Sequence, residues 1–333
     1  MAYEMVKPPL LEVTRLGVDY VDPPRPPAAA LREITFTVQR GEALGIVGES
    51  GCGKTTLMLA LMRLLPAAGR IVAGSVRLDG VELLDLDAQA MAALRWKRIA
   101  MIFQGAMNAL NPVRTVGDQI AEAIRLHEGV TARRTLDRRV EELLDLVGIA
   151  ANRRAHYPFQ YSGGMRQRAM IAMALACSPD LIIADEPTTA LDVMIQAQIL
   201  QLLAELRRRL NLSILLVTHD LGIVAELCDR VLVMYGGVMA ESADVDTIYN
   251  APVHPYTQAL LQAFPDPTRP AQKLAAIPGA PPRLNDLPPG CRFAPRCPQV
   301  FARCRTAPPP VYAITPAHAA SCFLVEPTEG GAA

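Results

Sequence analysis

The sequence has no net charge and no long apolar run. Its 33 lysines and arginines balance 33 aspartates and glutamates, so no bulk positive charge attracts nucleic acid or an anionic membrane. Hydrophobic residues make up 51% of the chain, yet no run reaches the roughly 18 apolar residues of a membrane-spanning helix. We therefore expect no nucleic acid among its partners and no membrane span of its own.

The first residues also lack the pattern of a signal peptide. Residues 1–9 contain Glu4 and Lys7 and no apolar block of the required length. We therefore expect the protein to stay in the cytosol, where its seven cysteines are reduced thiols or metal ligands instead of disulfides. The length of 333 residues predicts one large domain and an appendage.

A glycine-rich stretch carries the strongest chemical signal. Residues 48–55 read G-E-S-G-C-G-K-T, which fits the phosphate-loop pattern G-x-x-x-x-G-K-[ST]. The apolar run before it predicts a buried strand, and the leucine spacing after it predicts a helix. The N–H groups of such a loop and helix end bind a di- or triphosphate, with Lys54 on the β- and γ-phosphates and Thr55 on Mg²⁺. The predicted nucleotide contacts in this stretch are Gly48, Ser50, Gly51, Cys52, Gly53, Lys54, Thr55 and Thr56.

A second nucleotide motif ends a predicted buried strand. Residues 181–187 read L-I-I-A-D-E-P, and a parallel sheet presents its chemistry at such strand ends. We predict that Asp185 binds Mg²⁺ and that Glu186 polarises the attacking water. A capped loop is the alternative interpretation. The strand at 213–217 is followed by His219, a candidate contact of the γ-phosphate at the same sheet edge.

The remaining pattern predicts a β-rich start and a helical insertion. The first 80 residues or so alternate in the manner of strands, whereas residues from Asp87 to about Gln160 have helical spacing. Tyr20, which precedes Gly48 by 28 residues, is either a core aromatic of its strand or a ring that stacks on adenine.

Residues 161–168 read Y-S-G-G-M-R-Q-R. This stretch resembles the L-S-G-G-Q signature of the nucleotide-binding subunits of ABC transporters, with Tyr161 in place of Leu and Met165 in place of Gln. The resemblance covers nearly all of residues 10–265, with the motifs in the family's order. It implies an α/β P-loop ABC ATPase domain over residues 1–265, with a mixed sheet core, an antiparallel β subdomain and an inserted helical subdomain at about 87–177.

The resemblance also implies roles for further residues. Tyr20 matches the adenine-stacking aromatic, Gln104 the glutamine that approaches Mg²⁺ and the γ-phosphate, His219 the switch histidine, and Asp192 the D-loop aspartate. Ser162 is expected to cap a helix whose N–H groups form a second anion site. In the family this site contacts the ATP of a partner subunit, so the chain needs a second copy or a paralogue. The signature residues are Ser162, Gly163, Gly164 and Met165.

The end of the chain narrows the resemblance. Residues 254–261 read H-P-Y-T-Q-A-L-L and are similar to a segment of the ATPases that drive dipeptide, oligopeptide and nickel importers. This resemblance implies an ATPase for peptide import at the cytoplasmic face of the inner membrane, with a second ATPase subunit, two permease subunits and an extracytoplasmic solute-binding protein. The alternatives are import of nickel or another small solute, a soluble ABC ATPase of DNA repair or translation, and a metal-responsive regulatory protein.

Residues 266–333 are Pro-rich and carry four cysteines, and we expect a loop-built appendage. Cys291, Cys297, Cys304 and Cys322 follow the spacing C-x5-C-x6-C-x17-C. Four thiolates suit Zn²⁺ or an iron–sulfur cluster, although the spacing lacks the C-x2-C pair of most zinc sites. The resemblance to importer ATPases with this tail favours a [4Fe–4S] cluster, with zinc or unligated thiols as alternatives. The other cysteines, Cys52, Cys177 and Cys228, are predicted to be packing residues.

Overall fold

The computed structural model describes residues 8–24, 26–103, 105, 109–189, 191–263 and 276–327. The chain divides into two compact units, and each is described by itself. The first unit comprises Met1–Thr37, Leu44–Leu84 and Thr218–Ala333, and the second comprises Val38–Ala43 and Asp85–Val217. The domain boundary expected near residue 265 stays a prediction.

Strands and helices alternate along much of the described chain. The strands are β1 (Leu11–Tyr20), β2 (Ala28–Val38), β3 (Ala43–Val47), β4 (Gly69–Leu78), β5 (Val81–Glu82), β6 (Ile99–Ile102), β7 (Leu181–Asp185), β8 (Ser213–Val217), β9 (Arg230–Tyr235), β10 (Val238–Asp244), β11 (Tyr312–Thr315) and β12 (His318–Ala320). The helices are α1 (Lys54–Leu61), α2 (Ala88–Leu94), α3 (Val116–Glu128), α4 (Arg133–Leu146), α5 (Gly163–Ala174), α6 (Val193–Leu210), α7 (Leu221–Leu227), α8 (Val245–Asn250), α9 (Pro255–Ala263) and α10 (Ala302–Thr306). Among the described residues, no helix combines the length and the apolar character that a membrane crossing requires.

The first unit contains two groups of paired strands. One is a sheet in the order β2-β1-β4-β5, in which β4 runs antiparallel to β1 and β5. The other has the order β11-β12-β10-β9-β3, in which β3 and β9 are parallel and the remaining pairs are antiparallel. Every residue of β3 is buried, as its apolar run predicts. The expectation of an antiparallel β subdomain beside a mixed core is confirmed.

The end of the chain contains more regular structure than its prolines suggest. β12 pairs with β10, with Glu241 opposite Ala320, and β11 pairs with β12. β10 has β9 on its other side. The backbone of β12 therefore satisfies N–H and C=O groups that an edge strand would leave unpaired. The expectation of a loop-built appendage is therefore wrong for Tyr312–Thr315 and His318–Ala320, which form strands.

The second unit combines a parallel sheet with helices. β6, β7 and β8 pair in parallel, with β7 between the other two and completely buried. Before β7 the chain forms α2 to α5. In α4 the buried residues are Leu136, Val140, Leu143 and Leu144, the apolar face that the helical spacing predicts. The helical insertion expected from the sequence is confirmed.

Candidate nucleotide site

The phosphate loop follows β3 in the first unit and leads into α1. Gly48 has φ 153°, and a Cβ at this position would lie 2.2 Å from the carbonyl oxygen of Met234. A side chain therefore cannot replace the glycine without moving the backbone of β9. Gly53 is the N-cap of α1, so no capping side chain occupies the first N–H groups of the helix. This arrangement leaves donors available for an anion.

Lys54 lies across the phosphate loop. Its side chain is largely buried (8% exposed), and Nζ donates to the carbonyl oxygens of Gly48 at 2.6 Å and Glu49 at 3.2 Å. The two carbonyl groups hold Nζ over the loop. A bound phosphate can replace one of them as the acceptor. The geometry suits the phosphate contact that the sequence predicts.

The aromatic and the hydroxyl residues predicted around the nucleotide lie near this loop. The hydroxyls of Tyr20 and Thr56 are 3.2 Å apart and form a hydrogen bond in which either can be the donor. Thr55 is exposed at the start of α1. Cys52 is buried, and burial raises the pKa of its thiol despite the nearby charge of Lys54. This environment suits a packing residue and not a reactive thiolate.

His219 also belongs to the first unit. It follows Thr218, whose N–H donates to the carbonyl oxygen of Ile46 in β3 at 3.2 Å, and its side chain is exposed. The next residue, Asp220, caps α7 by accepting from the N–H of Gly222 at 2.8 Å. The cap fixes the turn that carries His219 beside the strand from which the phosphate loop starts.

The acidic pair lies at the end of β7 in the second unit. Asp185 is 5% exposed, which matches a carboxylate at a buried strand end. Glu186 has φ 44°, its N–H donates to the carbonyl oxygen of Val217 at 2.8 Å, and its Oε2 accepts from the hydroxyl of Thr189 at 2.9 Å. A non-glycine residue with positive φ stores backbone strain, a feature that is common at functional sites. The sequence contains no pattern from which the positive φ of Glu186 could be predicted.

The signature residues begin α5 in the second unit. The exposed Ser162 is the N-cap, and its Oγ accepts from the N–H of Met165 at 3.3 Å. A Cβ on Gly164 would lie 2.7 Å from Cγ2 of Ile195, so the glycine permits the close approach of α5 and α6. Asp192 is the N-cap of α6 and accepts from the N–H of Ile195 at 2.9 Å. The predicted cap at Ser162 is present.

The structure thus distributes the predicted site residues over both units. The first unit holds the phosphate loop, Tyr20 and His219, and the second holds the acidic pair, the signature and Asp192. Gln104 lies outside the described residues. The role of each residue toward a nucleotide stays a prediction.

Two further residues contact the phosphate loop, and the sequence indicated no role for either of them. Arg296 makes a paired hydrogen bond with the carboxylate of Glu49, and the Tyr256 hydroxyl accepts from the N–H of Glu49. Tyr256 belongs to the H-P-Y-T segment and Arg296 precedes Cys297. The first stretch stood out as a resemblance and the second by its cysteine spacing, but a contact across more than 200 positions leaves no periodic signal.

The four cysteines near the C-terminus line one small cavity together with His254 and Phe323. Cys304 packs with Ala294 and Phe323 in an apolar cluster, and Cys291 packs against that cluster. Burial raises the pKa of the Cys291 thiol to about 11 and also raises the pKa values of Cys297 and Cys322. Within the described ranges, no three His, Cys, Asp or Glu residues are placed to hold a metal ion. The structure therefore does not show the predicted iron–sulfur cluster, or zinc in its place.

Known protein families match two ranges of the sequence. Residues 31–189 match the ABC transporter family, and residues 240–304 match the C-terminal region of the oligopeptide/dipeptide transporter family. A probable peptide ABC transporter ATP-binding protein of Sinorhizobium fredii is 51% identical over 298 residues, which cover 88% of this chain and 89% of that protein. An oligopeptide transport ATP-binding protein of Salmonella typhimurium is 47% identical over 316 residues, covering 94% and 93% of the two chains.

A solved structure extends the likeness to the fold. An ATP-binding cassette in a dimeric post-hydrolysis state with ADP and Pi has a TM-score of 0.63 and 27% identity, covering 71% of this chain and 98% of that one. The chain belongs to the ABC transporter family, as an ATP-binding subunit of the branch whose members carry the oligopeptide/dipeptide transporter C-terminal region.

Proposed function

We propose that this chain hydrolyses ATP to power the import of dipeptides or oligopeptides across the cytoplasmic membrane. The proposal rests on two features that lie in the same unit. A phosphate loop is crossed by Lys54, and a C-terminal region of the peptide-transporter type contacts that loop through Arg296. The names of the two relatives, which describe peptide and oligopeptide transport, support the choice of solute.

The proposed chemistry assigns a task to each group. Lys54 and the N–H groups at the start of α1 bind the β- and γ-phosphates, while Tyr20 stacks on the adenine. The Thr55 hydroxyl and the Asp185 carboxylate are hard oxygen ligands that suit Mg²⁺, and Gln104 is assigned to the same ion. Mg²⁺ neutralises charge on the phosphates. Glu186 accepts the proton of the attacking water and His219 contacts the γ-phosphate; the D-loop aspartate is Asp192.

The proposed assembly needs more than one chain. The signature helix presents N–H groups and the exposed Ser162 hydroxyl to the ATP of a second ATPase subunit, either an identical copy or a paralogue. ATP then joins the two subunits and hydrolysis separates them. Two permease subunits form the path through the membrane, and a solute-binding protein on the outer side delivers the peptide. The chain is placed peripherally, at the cytoplasmic face of the inner membrane.

Reconstitution of the complex tests this function. The chain would be expressed with the permeases and partner ATPase from its own operon, placed in liposomes, and assayed for ATP turnover with the binding protein. We expect dipeptide- or oligopeptide-loaded binding protein to stimulate turnover, and the Lys54→Ala complex to give no stimulation. Stimulation by nickel-loaded protein alone would change the solute, and failure to purify with any membrane protein would contradict the transporter assignment.

We also propose that the four C-terminal cysteines hold a [4Fe–4S] cluster in the cell, with Zn²⁺ as the alternative. The supporting observation is that all four line a single cavity. Two of these cysteines are buried and two are partly exposed. A thiol must lose its proton to become a ligand, and a bound cation favours that loss. Anaerobically purified protein should be brown and contain iron and acid-labile sulfide. A colourless protein with zinc, or with no metal, would refute the cluster and leave the ATPase assignment unchanged.

A further inference from the structure

Arg296 connects the C-terminal segment, which comprises residues 276–327, to the phosphate loop. Its Nη1 lies 2.6 Å from Oε2 of Glu49 and its Nη2 lies 3.0 Å from Oε1, which is the paired geometry of a strong arginine–carboxylate contact. Glu49 is the second residue of the phosphate loop. The two residues are 247 positions apart in sequence and belong to the same compact unit.

The guanidinium of Arg296 is fully hydrogen-bonded. Besides Glu49, it donates through Nε to the carbonyl oxygen of Pro278 at 2.8 Å, through Nη2 to that of Ile277 at 3.2 Å, and through Nη1 to the hydroxyl of Tyr235 at 3.1 Å. These contacts use all five of the N–H donors that an arginine carries. The Arg296 side chain is only 5% exposed, and the Glu49 carboxylate raises the pKa of its guanidinium. The site is built to hold this cation in one position.

Glu49 links this cation to the part of the loop that faces a phosphate. Its N–H donates to the hydroxyl of Tyr256 at 2.9 Å, and its carbonyl oxygen accepts from Nζ of Lys54 at 3.2 Å. Tyr256 is itself completely buried and packs on the rings of Tyr235 and Phe293, with ring centres 4.5 and 5.4 Å away. Glu49 thus lies between Lys54, which crosses the loop, and the buried side chains of Tyr256 and Arg296.

We propose that Arg296 is a positioning residue for nucleotide binding, through which the C-terminal segment holds and neutralises Glu49 of the phosphate loop; this rests on the proposed ATP contact of that loop. Without Arg296, the Glu49 carboxylate would lie next to the binding place of a polyphosphate and would have lost the cation that pairs with it. Repulsion between like charges would then weaken binding, and the effect would be larger for ATP than for ADP. Arg296 would affect affinity without taking part in the chemical step.

The same C-terminal segment supplies a matched control. Arg303 and Glu326 form a paired contact with distances of 2.6 and 3.1 Å, so its geometry resembles that of the Arg296 pair. The two side chains are 51% and 39% exposed, and neither contacts the phosphate loop. Arg303→Gln therefore removes an ion pair of the same kind where no nucleotide effect is expected.

The test is a double-mutant cycle on the full chain, with ATP and ADP affinities measured by titration. We expect Arg296→Gln to raise the Kd for ATP by about tenfold, a typical coupling between two sites, and to raise the Kd for ADP less. The KM for ATP should rise while kcat at saturating ATP stays within about twofold of wild type. The Glu49→Gln/Arg296→Gln double variant should recover most of the affinity, because the repelling carboxylate is gone. Arg303→Gln should bind as wild type does.

Three outcomes would overturn the proposal. These are wild-type affinity in Arg296→Gln, a double variant that binds no better than the single one, and an equal loss in Arg303→Gln. If Arg296→Gln does not fold, Arg296→Met decides, since it also removes the charge but keeps a flexible apolar side chain in the buried position; wild-type affinity in a folded Arg296→Met would refute the role. If wild-type protein binds no ATP, or Lys54→Ala binds it equally well, the proposed nucleotide site itself fails.

Discussion

The phosphate loop at residues 48–55 and the signature loop at residues 161–165 both lead into a helix N-terminus, but they present it differently. In the phosphate loop, Gly53 leaves the N–H groups of α1 without a capping side chain, and the side chain of the largely buried Lys54 lies across the loop. In the signature loop, the exposed Ser162 already accepts from the N–H of Met165. The first loop carries a fixed positive charge of its own, whereas the second offers dipoles and a hydroxyl.

The support behind the two loops differs as well. The phosphate loop rests on buried aromatic rings and on Arg296 from the C-terminal segment. The signature helix packs closely on α6, where Gly164 meets Ile195. A loop with its own cation and a rigid support can bind an anion alone, while a helix end with an exposed cap can complete a site provided by another molecule. The difference supports the proposal that each ATP is bound by one copy's phosphate loop and enclosed by its partner's signature.

The largest expected effect comes from removing the charge of the phosphate loop. Lys54→Ala should raise the Kd for ATP by about a hundredfold, because a charge-assisted hydrogen bond to phosphate is lost and about 3 kcal/mol corresponds to that factor. Isothermal titration with ATP measures the change. The control is Lys97→Ala, which removes an exposed lysine of the second unit. If Lys54→Ala binds ATP with wild-type affinity, the charge of the phosphate loop does not bind ATP, and the proposed difference between the two loops is wrong.

Glu186→Gln should separate binding from turnover. The amide keeps the shape of the side chain but cannot accept a proton, so turnover should fall by about a hundredfold, within the usual range for a lost general base. ATP binding should be unchanged, and an ATP-stabilised dimer should accumulate in size-exclusion chromatography.

Glu205→Gln on α6 is the control for the Glu186 variant, because that carboxylate is exposed and pairs with Arg209. Wild-type turnover in Glu186→Gln would leave His219 or the substrate itself as the group that activates water. A normal loss of turnover without dimer accumulation would contradict the shared-site interpretation of the signature loop.

The parts of the fold that depend on neighbouring residues could be predicted from the sequence. β3, the glycine loop and α1 follow one another within 20 residues, so an apolar run, glycine spacing and helical periodicity were enough to identify them. The cap at Ser162 and the buried face of α4 are likewise local patterns. Each was confirmed because its determinants lie within a few turns of chain.

The long-range contacts could not be predicted in this way. Arg296 reads as an ordinary basic residue before a cysteine, yet it is nearly buried because Glu49 and two backbone carbonyl groups satisfy it. Similarly, the prolines around Tyr312–Ala320 suggested loops, but the edge of β10 gives β12 a pairing partner. In both places tertiary contacts decide the structure, and neither leaves a signal in a single sequence.

Acid should loosen the support of the phosphate loop while leaving the signature helix intact. His254 is buried, and its Nδ1 accepts from the N–H of Tyr256 at 3.0 Å. Burial lowers the pKa of His254 to about 4, although Glu241 opposes this shift. Glu241 also receives the N–H groups of Val253 and His254 and contacts Nε2 of His318 at 2.8 Å. The neutral form of His254 is therefore the folded form at neutral pH.

The sign of the pH effect follows from that lowered pKa. The unfolded chain takes up the proton near pH 6.5, while the folded chain resists it until about pH 4, so stability present above the unfolded pKa is lost as the pH falls through this window. We expect about 2 kcal/mol less unfolding free energy at pH 5 than at pH 7. Urea unfolding of wild type and His254→Asn measures it, since the variant should lose most of this dependence. Hydrogen exchange in α9, but not in α5, should quicken first; equal quickening in both helices would contradict the assignment to this histidine.

The smallest effect is expected from the cap of the signature helix. Ser162→Ala removes the acceptor of the Met165 N–H, and a lost N-cap costs about 1 kcal/mol of stability. The ATP affinity of the isolated chain should not change, because its phosphate loop is intact. Turnover at concentrations where subunits pair should fall by about fivefold, because the second anion site loses a hydroxyl and an ordered helix end. Asp244→Ala, which removes the N-cap of α8 in the first unit, controls for the general cost of losing a cap. If Ser162→Ala weakens ATP binding of a single chain as strongly as it slows turnover, both loops serve the same nucleotide within one copy, and the proposed division of labour between them is wrong.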